Sequence, residues 1–223
     1  MFKDWTKFEK ILLILSVVLV GAVGIVFKSD LITTVCSIVG IVSALLLAKG
    51  KNLGQIFGLL VVVLYSLTSF RNGFYGEVII YIFLMLPMYA IGIKNWAKHQ
   101  NKKTDSVEIN EISLKEWIVI SILSIIVFVG MYYLLKMFNT NELIISTISV
   151  ITSLFAVYLQ MRRSRFSFGF YMMNDLVMFG LWIVPVVNGN LFVLPMMFNP
   201  AVNLINDSYG LYNWKKIKEK QKK

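Results

Sequence analysis

The chain of 223 residues is 57% hydrophobic and 15% charged, with a mean hydropathy of +0.72. Soluble domains are nearer ~45–50% apolar and ~25% charged, so these values exclude an aqueous globule and point to a protein that crosses a membrane several times. The net charge of +10 is then the lysine and arginine bias of inward-facing loops rather than a nucleic-acid surface, and no nucleic-acid partner is expected.

Lys3, Lys7 and Lys10 precede the apolar run Ile11–Phe27 of a first segment over roughly 8–27. That run is long for a signal peptide and no small-x-small cleavage site follows it, which predicts an uncleaved first helix. It either spans or lies in the interface. Further apolar segments follow at roughly 30–48, 53–70, 74–93, 116–135, 142–161, 168–187 and 191–213, each near the ~20 residues that cross the hydrocarbon core. Cys36, the only cysteine, lies inside the second and has no intramolecular disulfide partner. Connections are short, apart from the polar stretch 94–115. With the N-terminus inside, 19 of the 22 lysines and arginines fall on inner segments, leaving only Lys28, Arg71 and Lys136 outside. This places both termini in the cytoplasm and supports the alternation of spans.

An internal repeat runs through the pattern. Asp30–Thr33 aligns with Glu142–Ile145, Lys49 and Lys51 with Met161 and Arg163, and Asn72-Gly73 with Asn188-Gly189. Gly92, Asn95 and Trp96 align with Gly210, Asn213 and Trp214. Both copies contain three segments of the same polarity, because one additional segment separates them. The expected fold is an all-α membrane bundle, 3+1+3 with parallel repeats, preceded by one extra helix. Its divisions are an N-terminal helix (1–29), a first three-helix repeat (30–98), a cytoplasmic loop and linker helix (99–140), a second repeat (141–216) and a basic tail (217–223). Asn-Gly is a turn signal in its own right, and the two tryptophans also fit interfacial anchors.

These residues also carry a family resemblance. Gly73-Phe74-Tyr75-Gly76-Glu77-Val78, the Pro87…Gly92…Trp96 run, Arg162-Arg163, and Asn203…Tyr209-Gly210-Leu211-Tyr212-Asn213-Trp214-Lys215-Lys216 resemble the PnuC-type vitamin transporters, which take up nicotinamide riboside. The resemblance covers roughly 30–216. It implies a fold similar to the SWEET sugar facilitators, a homotrimer in the plasma membrane, and trapping of the imported substrate by a cytosolic kinase. The chain departs from the family at the start of the sixth core segment. The family has a Trp-x-x-Trp before an asparagine; here Phe166, Phe168, Phe170 and Tyr171 precede Asn174. That leaves the substrate open.

Polar groups within spans are expensive and need partners. Asn199, Asn203 and Asn206 share one helix face at i, i+4 and i+7, with Asp207 four residues after Asn203 and Pro200 removing a backbone donor within the stripe. The stripe suits a ribose or an amide, or else hydrogen bonds between helices. The resemblance favours substrate contact for Asn199 and Asn203; Asn206 and Asp207 lie nearer the inner end and also fit a structural role. Asn174 and Asp175 fall in the next-to-last segment. Asp175 is a counter-ion candidate for a cationic ring, or a partner of Arg165. Trp182, two turns on, either stacks on a planar base or belongs to an interfacial belt. Gln55 and Tyr171 complete the candidate set. Glu77 reads as a solvated helix start. Gly21/Gly24 and Gly54/Gly58 permit close helix packing. No Walker A, His-Glu-x-x-His or Gly-x-Ser-x-Gly motif is present, so no cofactor, metal or catalytic activity is expected, and downhill passage is favoured over pumping. A relative carrying a deoxynucleoside, thiamine or riboflavin is the first alternative; a non-transporting membrane enzyme or scaffold, or an ion channel, is the second.

Overall fold

The computed structural model describes residues 5–222; Lys3 and Lys223, counted above on the inner side, lie outside the described residues. The chain forms α1 (Lys7–Val26), α2 (Leu31–Ala48), α3 (Leu53–Arg71) and α4 (Tyr75–Lys98). A hairpin of β1 (Gln100–Asn101) and β2 (Ser106–Val107) follows, then α5 (Leu114–Met137), α6 (Leu143–Met161), α7 (Ser167–Val187) and α8 (Leu194–Gln221). Local chemistry sets several starts. Thr6 and Glu9 form a capping box on α1, and Ser113 caps α5. Asp30 caps α2 by accepting from the Thr33 N–H and hydroxyl. Partial burial works against charge on Asp30, but Thr33 and the nearby Arg71 guanidinium hold its carboxyl below the usual range. Within α4 a π-helical turn over Tyr81–Met85 leads into Pro87, whose missing N–H prevents a regular α-ladder there.

Helices α1 to α7 are long and apolar enough to cross a membrane; α8 is not. The eighth predicted span is a 28-residue helix, long enough but more polar than the others. Its asparagines, Asp207 and two prolines dilute its apolar character, and it packs among α1, α2 and α7. Helix α8 also continues through residues 217–221, expected from the sequence as a tail, because Ile217 is buried and Gln221 bonds Val107 and Ile109 in the segment between α4 and α5. The first helix runs alongside α2. At one end Glu9 binds Lys49 at 2.6 Å and accepts from the Tyr209 hydroxyl. At the other, a Cβ on Gly24 would meet Thr34 at 2.6 Å.

Six helices close a ring in which each packs on the next: α2, α3, α4, α6, α7, α8 and back to α2. Thus α2 meets α8, and α4 meets α6. Helix α5 lies outside, mainly against α6.

The ends of α2 and α6 are closed in the same way. Asn213 Nδ2 and Trp214 Nε1 donate to the Ala48 and Leu47 carbonyls at 2.9 and 3.0 Å. Asn95 Nδ2 and Trp96 Nε1 donate to the Met161 and Gln160 carbonyls at 2.7 and 2.9 Å. These carbonyls are among those a helix end leaves unpaired. Both indoles are fully buried and their rings lie 5.6 Å apart, so they cap helices rather than sit at a lipid interface. The turns that follow pair Gly50 (φ 69°) with Arg163 (φ 62°), one position on from the sequence alignment of Lys51 with Arg163. Helix α6 is one residue longer than α2. Gly50 takes the left-handed conformation without steric cost, whereas Arg163 adopts it at some strain.

The segment after α4 straps across this end. Val107 N–H donates to the Gly50 carbonyl and Asn110 N–H to the Arg163 carbonyl, both at 2.9 Å. Gln221 Nε2 donates to the Val107 carbonyl. Lys51 pairs with Asp105, and Lys218 with Glu111.

The Leu47 and Gln160 carbonyls also accept from the Gly50 and Arg163 N–H groups, so removing either indole N–H costs one hydrogen bond, about 0.5–1.5 kcal/mol. W96F and W214F should therefore each lower the apparent melting temperature in detergent by several degrees, while W117F, outside the caps, changes it little. Equal behaviour of all three variants would remove the caps from the account.

Candidate functional site

Inside the ring lies a cavity of about 120 Å³. Small residues make room for its walls. A Cβ on Gly40 would stand 3.0 Å from the Asn199 carboxamide, and one on Gly58 would stand 2.2 Å from the Tyr89 ring. These two glycines admit a polar side chain from α8 and an aromatic one from α4.

Aromatic groups build the end nearer Asn188 and Asn72. Trp182 Nε1 donates to the Tyr65 hydroxyl at 2.6 Å, Tyr65 stacks on Tyr81 with centroids 4.4 Å apart, and Phe74 meets Trp182 edge-on at 5.1 Å. Trp182 is 1% exposed, so it belongs to the cavity wall and not to a lipid-facing belt. At the opposite end Phe168 and Leu47 pack into the cluster of Trp96 and Trp214. A Cβ on Gly210 would collide with the Phe168 ring at 2.5 Å.

Polar groups line the walls between. Helix α8 contributes Asn199, Asn203 and Asp207, and helix α7 contributes Tyr171, Asn174 and Asp175. Their bonding differs. Asn199 Nδ2 donates to the Ser37 carbonyl at 2.7 Å, tying α8 to α2. Asn174 Oδ1 accepts from Thr152 and Ser153 of α6. Both are therefore interhelical bonds as well as wall. Asn203 donates to Asn199 Oδ1 at 3.0 Å, while its own Oδ1 has no partner among the described residues. Tyr171 donates to Gln160 and lies 3.5 Å from the Tyr89 hydroxyl. Asp175 and Asp207 are both buried and both stand on this wall. Arg165, the alternative partner for Asp175, sits over the Phe166 ring at 5.1 Å. No lysine, arginine or histidine lines the cavity among the described residues.

Six sequence candidates thus meet at the cavity: Asn199, Asn203, Asn174, Asp175, Trp182 and Tyr171. Gln55 and Asn206 do not. Gln55 packs into the space left by Gly92, with Oε1 3.0 Å from where a Cβ would be. Asn206 is fully buried but off the cavity wall, and neither end of its carboxamide has a partner among the described residues. Tyr65, Tyr81, Tyr89 and Asp207 also line the wall and are not among the site candidates. Asp207 continues the Asn199–Asn203 stripe at i+8, and Tyr81 and Tyr89 repeat the same spacing on α4; those are the signals that mark them. Glu77 is not solvated: it is fully buried and accepts from the Ser149 hydroxyl, joining α4 to α6.

The family model described as "Nicotinamide mononucleotide transporter" matches residues 30–216, the span over which the sequence resembles the PnuC-type transporters. The chain belongs to the nicotinamide mononucleotide transporter family. Two curated relatives in this family, both named nicotinamide riboside transporter PnuC, are each 23% identical to it. The one from Neisseria mucosa aligns over 97% of this chain and 84% of its own length; the one from Haemophilus influenzae over 96% and 92%. A solved structure described as the vitamin B3 transporter PnuC superposes with a TM-score of 0.86 at 22% identity, covering 98% of this chain and 95% of that one. The shared fold is therefore that of a multi-pass membrane transporter, and this family member is not an enzyme.

The tight fit at Gly58 generates a test. G58A should push the Tyr89 ring off its position and lower the melting temperature, and the G58A/Y89A double variant should be less destabilised than the sum of the two singles. Strict additivity would show that the two residues do not share the space.

Proposed function

We propose that this chain carries nicotinamide riboside across the plasma membrane. The observation that carries the reading is the charge of the cavity. Two carboxyl groups, Asp175 and Asp207, stand on a wall flanked by aromatic rings, with no cationic side chain beside them. A phosphorylated nicotinamide would bring its phosphate against those carboxyls with no lysine or arginine to meet it, and that is costly in a buried site. The unphosphorylated riboside brings a pyridinium cation, which suits carboxylates and the faces of Tyr65, Tyr81 and Trp182. The free Oδ1 of Asn203 is an acceptor for an amide N–H or a ribose hydroxyl. The names of the curated relatives support the same substrate.

In this reading the architecture is the 3+1+3 parallel repeat, with α2–α4 and α6–α8 as the two bundles, α5 as the linker and α1 as an additional helix. Support comes from the paired packing of α2 on α8 and α4 on α6, and from the matching Asn-Trp caps. Rocking of one bundle against the other would part the Tyr65–Trp182 end and the Phe168–Leu47 end in turn. The cavity of about 120 Å³ is small beside typical ligand pockets of ~300–1,000 Å³, so entry must move its walls. The π-turn of α4, which carries Tyr81, is a place where a wall gives. The lysine and arginine bias puts both termini in the cytoplasm. The family resemblance adds facilitated diffusion with trapping by a cytosolic kinase, and a homotrimer in the lipid bilayer.

Thermal stabilisation of the purified protein tests the substrate, because a ligand bound only by the folded state raises apparent stability by mass action. Nicotinamide riboside should shift the melting curve; nicotinamide mononucleotide, thiamine, riboflavin and deoxynucleosides should not. N203L should remove the shift while leaving expression intact. A larger shift with the mononucleotide would overturn the charge argument. Unchanged stabilisation of N203L would return Asn203 to a purely interhelical role.

A further inference from the structure

Resting on that reading, the carboxyl pair has a second consequence. Asp175 on α7 and Asp207 on α8 are 6% and 4% exposed, and both lie on the cavity wall. They face one cavity of about 120 Å³ from helices packed against each other, and no N–H or O–H donor of the described residues reaches Asp175 Oδ2. Two buried carboxyl groups placed together, with no cation beside them, do not both carry charge. Two things complete such a site: a proton taken up by one of the carboxyls, or a positive charge brought from outside.

The neighbouring titratable groups leave the pair in this position. Across the cavity are the hydroxyls of Tyr65 on α3 and of Tyr81 and Tyr89 on α4, with Tyr171 on α7 itself. Helix α2 contributes the buried thiol of Cys36 and, at its end, Lys49, which binds Glu9 of α1, where the Tyr209 hydroxyl of α8 also donates. On α6 the Tyr158 hydroxyl and Arg162 both bind Glu116 of α5. None of these delivers a cation to the pair.

We propose that Asp175 and Asp207 share one proton in the empty transporter and exchange it for the positive charge of the ligand. The exchange balances. The empty site has one neutral and one ionised carboxyl, a net single negative charge. Binding of a pyridinium cation ionises the second carboxyl and releases its proton to solvent, and the occupied site again has a net single negative charge. The quaternary ring nitrogen has no proton of its own to lose, so the released proton comes from the pair. Affinity for the cation therefore falls as pH falls through the titration of the pair, because protons compete for the same place. Affinity for an uncharged analogue does not follow that course.

The experiment is titration calorimetry of the full-length protein in detergent, repeated at one pH in buffers of different ionisation enthalpy. The ligands are nicotinamide riboside and its uncharged dihydro form, which keeps the carboxamide and the ribose. The expected result is release of about one proton per bound riboside and none for the dihydro form, with D175N and D207N each abolishing the release. An enthalpy for the riboside independent of buffer overturns the exchange and leaves the transport reading standing; equal release with both ligands, or release that persists in both variants, overturns it too. Should neither variant fold, the comparison of charged with uncharged ligand on the unaltered protein decides alone. Failure of the riboside to bind at all overturns both the exchange and the proposed substrate.

Discussion

The closing of two helix ends inside the bundle is the constraint on which the rest of this structure depends. Helices α2 and α6 end against protein, so their last carbonyls cannot be left to water. Asn213 and Trp214 bond the end of α2, and Asn95 and Trp96 bond the end of α6. Each donor pair comes from a helix elsewhere in the chain, so a local need for hydrogen bonds becomes a long-range tie. The ties fix where α8 meets α2 and where α4 meets α6. The ring follows from those contacts, and the cavity is what the ring encloses.

Polar side chains are spent in two ways within this apolar bundle. Most are satisfied by backbone or by a neighbouring helix, as with Ser43 on the Gly54 carbonyl, Ser149 on Glu77, and Thr152 and Ser153 on Asn174. Such bonds hold helices together at modest gain each. A smaller set is left incomplete. Asn203 Oδ1 and Asp175 Oδ2 lack partners among the described residues, and both belong to cavity-lining residues. Unmet hydrogen-bonding capacity in a buried wall costs stability, and a ligand that meets it recovers that cost on binding.

Much of the fold is legible in the sequence because membranes impose strong rules. Apolar length marks α1 to α7, and the recurrent Gly-x-x-Asn-Trp marks two positions that turn out to be equivalent caps. The sequence reads α8 as an ordinary span because its apolar residues still outnumber the asparagines; only the ring shows why so polar a helix is tolerated, wrapped by α1, α2 and α7. Six of the eight candidate site residues reach the cavity because helical periodicity puts them on shared faces. Gln55 misses it because Gly92 offers a nearer space, which no spacing reveals. Tyr89 is hidden for the converse reason: its position depends on Gly58, a residue on another helix. Glu77 looks solvated from its place at a helix start and is buried by α6, which lies far along the chain.

The strap between α4 and α5 has a mechanical consequence. Val107 is bonded to the turn at Gly50, and Asn110 to the turn at Arg163. Only Glu108 and Ile109 separate those two anchors, and a fully extended chain reaches about 3.3–3.6 Å per residue. While both bonds hold, that segment acts as a stay of fixed length between the two turns. As long as both bonds last, the Gly50 and Arg163 turns cannot separate beyond the reach of that short segment.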